Sequence, residues 1–197
     1  MEAQHLVMVC ILVWIVLLEK VLPLSNFAAR KLCHAGCGLG MLLLDSETIE
    51  ARIFVAILAA SSIAMVWGVT PLPPFRFAQM GDVGVTVYLL LVSAWFAIQQ
   101  PPLLLAPLFF ADPAGAVIGK WASRTFPGRN LRWYNEKTVC GSAAVFAVTA
   151  LSISFPCSNA ERLVIAAAAA AAEAVGGAYD NLAIAAAVAA GAAWTKR

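Results

Sequence analysis

The stretch LVMVCILVWIVLLEKVL, residues Leu6–Leu22, contains one acid and one base among seventeen residues and ends at Pro23. About 20 apolar residues in a helix are enough to cross the hydrocarbon layer of a bilayer. The stretch therefore predicts a membrane-spanning helix. The chain begins MEAQH, with an acid and no basic region ahead of the apolar run, which argues against a cleaved signal peptide. We expect this first helix to be retained as a span.

Further apolar blocks follow along the rest of the chain, at residues 32–44, 53–69, 83–98, 103–110, 141–155, 163–178 and 182–194. The chain is 62% hydrophobic and 12% charged, with a mean hydropathy of +0.84. Soluble domains are roughly 45–50% apolar and about 25% charged. This composition excludes an ordinary soluble enzyme, a disordered chain and a nucleic-acid binder with a basic surface. We predict an all-α, polytopic membrane bundle of about six to eight transmembrane helices, forming a single domain over residues 1–197.

The longest polar stretch, residues 112–140, holds five of the thirteen Lys and Arg residues: Lys120, Arg124, Arg129, Arg132 and Lys137. Short basic loops tend to remain on the cytoplasmic side of a membrane. If Gln99–Pro102 reverses the chain, this loop shares a face with Arg30-Lys31. If the helix only kinks there, the loop lies on the opposite side. Both topologies stay open, and the charge rule favours the reversal.

The segment FADPAGAVIGK, residues 110–120, combines an acid, a proline, small residues and a lysine. Pro113 can open a new helical turn, and a helix start without large side chains offers backbone N–H groups to an anion. Lys120 would add a charge for phosphate. The alternative is that Gly115 and Gly119 form a small-xxx-small pattern that serves helix packing.

A second segment of this kind is EKTVCGS, residues 136–142, in which Lys137 and Thr138 precede Gly141 and Ser142 at the start of an apolar block. Two glycine-bearing helix starts with lysines suit a diphosphate or triphosphate. The alternative is that the basic loop only fixes topology and meets anionic lipid headgroups.

Three acids lie within or beside apolar blocks: Asp112, Glu173 and Asp180. Ionisable groups at membrane depth are costly unless they are paired or functional. Gly176-Gly177 is expected to end the helix after Glu173, which leaves Asp180 at the start of the last helix, where capping is the plain alternative. Carboxylates near bound phosphate would hold Mg²⁺, which prefers oxygen ligands.

A basic pair also occurs near the N-terminus, in Arg30-Lys31-Leu32-Cys33-His34. One interpretation is a positive anchor at the start of a helix. The other is that Arg30 or Lys31 contacts phosphate while His34 faces the bundle.

Four short motifs, in this order, resemble those of the CTP-dependent lipid-alcohol kinase family, which includes phytol and farnesol kinases, the catalytic part of dolichol kinase and the yeast-type diacylglycerol kinase. The family's R-K-x-x-H matches residues 30–34, and its acidic, small-residue segment resembles residues 112–120. Its K-[ST]-x-x-G-[ST] matches residues 137–142, and its acid followed by D-N-[LI] matches Glu173 and residues 180–182.

The resemblance implies a membrane kinase that transfers the γ-phosphate of CTP to a long-chain lipid alcohol with the help of Mg²⁺. Its implied catalytic residues are His34, Asp112, Glu173 and Asp180, of which Asp112 and Asp180 hold the metal. Its implied nucleotide-binding residues are Arg30, Lys31, Gly115, Gly119, Lys120, Lys137, Thr138, Gly141, Ser142 and Asn181. The implied partners are CTP, the lipid alcohol and membrane lipid, with no nucleic acid, and the resemblance allows a homo-oligomer. The implied location is the endoplasmic reticulum or a plastid membrane.

The central motif departs from the family pattern, since many members carry Gly-Asp where this chain has Ala111-Asp112 followed by Pro113. The choice of alcohol is therefore not carried over. Two alternatives are a CDP-lipid synthase resembling phosphatidate cytidylyltransferase, which also uses CTP and Mg²⁺, and a non-catalytic membrane protein.

Overall fold

The computed structural model describes residues 2–196, and within that range the protein has eight α-helices and one small β-hairpin. The helices are α1 (Glu2–Val16), which a π-helical turn extends over Leu17–Val21, α2 (Asn26–Leu42), α3 (Ile49–Val66), α4 (Val83–Ala97), α5 (Ala106–Thr125), α6 (Val139–Ser152), α7 (Asn159–Gly176) and α8 (Asp180–Trp194). The hairpin pairs β1 (Arg132–Tyr134) with β2 (Lys137–Thr138) in antiparallel orientation. The predicted all-α class is confirmed.

Four helical segments are long and apolar enough to cross a membrane: Glu2–Val21, Ile49–Val66, Pro102–Thr125 and Asn159–Trp194. This is fewer than the predicted six to eight. Helices α4 and α6 are apolar but have only 15 and 14 residues. At about 1.5 Å per residue they reach roughly 22 Å, which is short of the ~30 Å hydrocarbon layer.

The longest of these segments, Asn159–Trp194, is a helical hairpin rather than one straight rod. Gly177 has φ +56°, a left-handed value that favours glycine, and a single 3₁₀ turn over Gly177–Tyr179 leads into α8. A Cβ on Gly191 would lie 2.6 Å from Ile165, and one on Gly176 would lie 3.3 Å from Ala183. This pairing is antiparallel, and it confirms that the first helix ends at Gly176-Gly177.

The chain divides into two compact units, Met1–Pro102 and Leu103–Arg197. The first contains α1–α4, and the second contains α5–α8 with the β-hairpin. The expectation of one domain over residues 1–197 stays a prediction beside this division.

An ion pair fastens two helices of the first unit. Asp82 caps α4 by accepting a 3.0 Å hydrogen bond from the Val85 amide. The Arg30 guanidinium on α2 donates to both oxygens of the same carboxylate, at 2.6 and 3.3 Å. Burial alone would raise the pKa of Asp82, but the hydrogen bond from Arg30, the Val85 amide and the Arg30 charge outweigh it and lower the pKa.

Helix α5 runs unbroken from Ala106 to Thr125, so the expectation that Pro113 opens a new helix is wrong. Proline inside a helix removes one hydrogen bond and costs about 3 kcal/mol. Helix α5 offsets this cost by burial, since Phe109, Ala111 and Pro113 itself are among its buried residues.

Candidate functional site

Three carboxyl groups of the second unit meet at one place. Asp112 comes from the middle of α5, Glu173 from the last turn of α7, and Asp180 is the first residue of α8. One oxygen from each lies within 4.8 Å of the other two. Asp112 and Glu173 are only 6% and 5% exposed. The hairpin turn after Gly176 brings Asp180 back to Glu173, which is why acids seven positions apart meet although the helix between them has ended.

The side chain of Lys137 reaches into this acid cluster. Its Nζ donates a hydrogen bond to Glu173 Oε1 and lies 3.5 Å from Asp180 Oδ2. Burial alone would lower the pKa of Lys137, but the hydrogen bond to Glu173 and the negative charges of the three acids outweigh it and raise the pKa. Lys137 therefore stays protonated at neutral pH.

The β-hairpin sets the position of Lys137. Its turn includes Asn135, with φ +44°, a value that asparagine tolerates better than most residues. Lys137 then lies in β2, directly before Thr138, whose hydroxyl caps α6 by accepting from the Gly141 amide at 3.2 Å. The strand and the capped helix together aim the lysine at the acids.

Asn130 holds in place the loop that leads into the β-hairpin. Its Nδ2 donates to the Gly119 carbonyl at 3.0 Å and to Ser123 Oγ at 2.9 Å, and its Oδ1 accepts from the Cys140 amide at 3.1 Å. The side chain therefore joins the end of α5 to the start of α6. Sequence reasoning missed Asn130, because its partners lie up to eleven positions away and no motif marks it.

The start of α6 does not present the open amide groups that the sequence predicts for phosphate. The Val139 amide donates to the Leu131 carbonyl at 2.9 Å. The next two amides, of Cys140 and Gly141, donate to Asn130 and Thr138. The first three donors of the helix are thus already used within the protein.

The three glycines expected around a nucleotide lie where α5 and α6 pack closely, and their role in binding a nucleotide stays a prediction. A Cβ on Gly115 would lie 2.5 Å from Val145, and one on Gly119 would lie 2.9 Å from Thr138 Oγ1 and 3.3 Å from Gly141. Gly115 and Gly119 also lie within α5 and not at a helix start. The small-xxx-small alternative therefore describes them, and it corrects the expectation of a backbone cradle at residues 112–120.

The other predicted residues of this unit are Ser142, Lys120 and Asn181. Ser142 Oγ accepts a 2.9 Å hydrogen bond from the indole of Trp133. Lys120 is exposed on the last turns of α5. Asn181 is 8% exposed, and its Oδ1 has no hydrogen-bond partner within residues 2–196. Asn181 directly follows Asp180, and its buried oxygen is an acceptor that a bound ligand could use.

The remaining predicted residues lie in the first unit. Helix α2 begins at Asn26 behind the Ser25 cap, so Arg30 and Lys31 lie in its second turn and not at its start. Arg30 is held by Asp82, and the His34 ring lies 4.3 Å from the Tyr88 ring, at 46°. Their expected role in the nucleotide site stays a prediction.

The cluster unites residues from three of the four motifs: Asp112 from the second, Lys137 from the third, and Glu173 with Asp180 from the fourth. Its carboxyl oxygens are hard donors that suit Mg²⁺. No family model, curated protein or solved structure matches the chain.

Proposed function

We propose that this chain is a membrane-embedded phosphotransferase that moves the γ-phosphate of CTP onto the hydroxyl of a long-chain lipid alcohol. The observation that carries the proposal is the meeting of Asp112, Lys137, Glu173 and Asp180 in one partly buried cluster. These residues belong to three separate motifs of the family that the sequence resembles. Helix packing alone gives no reason for three acids and a lysine to converge among apolar helices, where charges are costly.

The acid cluster fits a divalent cation in its donor chemistry. All three side chains offer carboxylate oxygens, and Mg²⁺ is usually held by one or two carboxylates together with substrate phosphate. Asp112 and Asp180 would hold the ion, with Glu173 beside them. When bound, Mg²⁺ would neutralise the charge that develops on the phosphate oxygens during transfer.

The protein's own side chains have three tasks in this proposal. Lys137 donates hydrogen bonds to phosphate oxygens, which stabilises their negative charge in a site shielded from water. Glu173 accepts the proton of the alcohol as the alcohol oxygen bonds to the γ-phosphorus. The bond from that phosphorus to the bridging oxygen breaks, and CDP leaves with the electron pair. Because phosphoryl transfer depends mainly on position and charge, no covalent enzyme intermediate is required.

The proposal places the protein in a membrane as a multi-pass chain, in the endoplasmic reticulum or a plastid. Its four long apolar segments support the placement in a membrane, and the organelle comes from the resemblance alone. The alcohol tail would lie among the apolar helices, with its hydroxyl at the acid cluster.

The test uses the purified chain in detergent with Mg²⁺, CTP labelled with ³²P at the γ position, and phytol, farnesol, dolichol or diacylglycerol. Label in a lipid is the expected result, and it names the acceptor. Asp112→Asn keeps the shape of the side chain but removes its charge, and it should abolish transfer. The matched control is Glu136→Gln, which removes an acid that is 86% exposed in the same unit.

Three other outcomes would change the proposed function or its mechanism. Label released as pyrophosphate, with a CDP-lipid as product, would favour the synthase. No transfer and no binding of CTP by the folded protein would favour a non-catalytic membrane protein. Full activity of Asp112→Asn would remove this residue from the mechanism.

A further inference from the structure

The stretch from Lys120 to Asn135, here called the basic–aromatic segment, is mostly exposed and contains basic but no acidic side chains. No acid occurs from residue 113 to residue 135. Large apolar side chains alternate with the cations and are also exposed: Trp121 (57%), Phe126 (45%), Leu131 (64%), Trp133 (49%) and Tyr134 (40%). A water-facing loop has no reason to hold so many, because each exposed ring or leucine costs free energy in water.

The position of the segment explains this composition. It begins on the last turns of Pro102–Thr125, one of the four segments long enough to span a membrane. Tryptophan and tyrosine concentrate at the two levels where a membrane meets water, and Lys and Arg near the ends of spans reach into the same layer. The segment therefore combines the two residue classes of this layer at the end of a candidate span.

We propose that the basic–aromatic segment docks onto anionic phospholipid headgroups at the surface of the membrane. Arg124, Arg129 and Arg132 would contact lipid phosphates while the exposed rings and Leu131 enter the boundary between headgroups and acyl chains. A soluble triphosphate could also bind the guanidinium groups, but it would leave the apolar side chains in water. A lipid surface satisfies both sets at once.

Docking would also fix the depth of the acid cluster relative to the membrane surface. The segment is tied to the site by Trp133, which donates to Ser142, and by Asn130, which joins α5 to α6. Strand β2, which follows the segment directly, carries Lys137. This consequence rests on the proposed function: the lipid hydroxyl would meet Lys137 close to the headgroup layer.

The test measures the binding of individual lipids to the purified full chain by native mass spectrometry, with phosphatidylglycerol or phosphatidylcholine added to detergent micelles. The wild type should retain phosphatidylglycerol preferentially. Each cation near an anionic surface contributes a factor of about five in affinity. Arg124→Gln combined with Arg129→Gln should therefore weaken phosphatidylglycerol binding by about tenfold or more. Both side chains are exposed, so the fold should tolerate the change.

The matched control is Lys20→Gln combined with Lys196→Gln, which removes the same charge outside the segment. It should leave phosphatidylglycerol binding within about twofold of the wild type. Equal retention of the two lipids by the wild type, or an equal loss in the control, would overturn the proposal. A raised KM for CTP with unchanged lipid binding would overturn it too, because the arginines would then serve the nucleotide. Lipid docking that persists in a chain without kinase activity would leave the proposal standing and refute only the proposed function.

Discussion

Arg30–Asp82 in the first unit and the Lys137 cluster in the second both bring charges together, but they differ in the number of carboxyl groups that converge. Arg30 and Asp82 are one cation and one anion joined by two hydrogen bonds, and Asp82 also caps a helix. Lys137 faces three carboxyl groups. In the Arg30–Asp82 pair the charges are equal and both carboxylate oxygens accept hydrogen bonds, so the pair serves to hold two helices together. In the second unit three carboxyl oxygens converge within 4.8 Å, an arrangement whose donor type suits a divalent cation.

The largest expected effect is on turnover. Lys137→Gln should lower the rate of phosphate transfer by about 10²–10³-fold, since it removes a charged donor from the reacting phosphate. The measurement is the radiolabel assay, at a temperature where circular dichroism shows the variant folded. If folded Arg30→Gln lost as much turnover, the contrast between a structural pair and a functional cluster would be wrong. Arg30 would then belong to the active site, as the resemblance implies.

The second effect is on metal binding. Glu173→Gln combined with Asp180→Asn should weaken the binding of Mn²⁺, a spectroscopic substitute for Mg²⁺, by more than about tenfold, since loss of an outer partner alone typically costs 10–100-fold. Electron paramagnetic resonance of free Mn²⁺ measures this. Asp82→Asn is the control in the other unit and should bind as the wild type does. Equal binding by all three proteins would mean that the acid cluster holds no cation.

The third effect is on stability. Asp82→Ala should lower the free energy of unfolding by about 1–2 kcal/mol, because it removes the cap of α4 and leaves Arg30 without this partner. Thermal unfolding in detergent, followed by circular dichroism, measures the loss. Glu136→Ala, at an exposed ion pair, should change stability by less than about 0.5 kcal/mol. If the two variants lose the same free energy of unfolding, the Arg30–Asp82 pair does not stabilise the first unit.

The smallest effect is a dependence on pH. The pKa of Asp82 is lowered in the folded protein, so its contribution to stability is present above the unfolded value of about 3.9 and is lost as the pH falls through the folded value. The stability difference between wild type and Asp82→Asn should therefore shrink as the pH falls below about 4. A difference that stays constant from pH 6 to pH 3 would contradict this.

The sequence predicted well what depends on local pattern. The all-α class and the end of α7 at Gly176-Gly177 follow from hydropathy and from the two glycines. The three acids were singled out because charge is costly beside apolar blocks. Their meeting in space required the turn between α7 and α8, whose direction no local pattern fixes.

The errors share one cause, which is packing between distant elements. The sequence around Pro113 predicts a helix start, but α5 continues through it because the residues around the proline are buried. Gly115 and Gly119 were expected close to a helix start, but they lie within α5 against Val145 and the start of α6, as the packing alternative has it. The number of membrane spans was overestimated because each apolar block was counted as one span whatever its length. Helices α4 and α6 are too short to cross the whole hydrocarbon layer.

The hairpin of α7 and α8 has a consequence for biogenesis. An antiparallel pair closed by a three-residue turn returns the chain to the side from which it entered. A helix of only 15 residues such as α8 is short for independent insertion, so the pair would enter the bilayer as one unit during synthesis. Reporters for glycosylation placed in the 153–158 loop and after Trp194 would then be modified together or not at all.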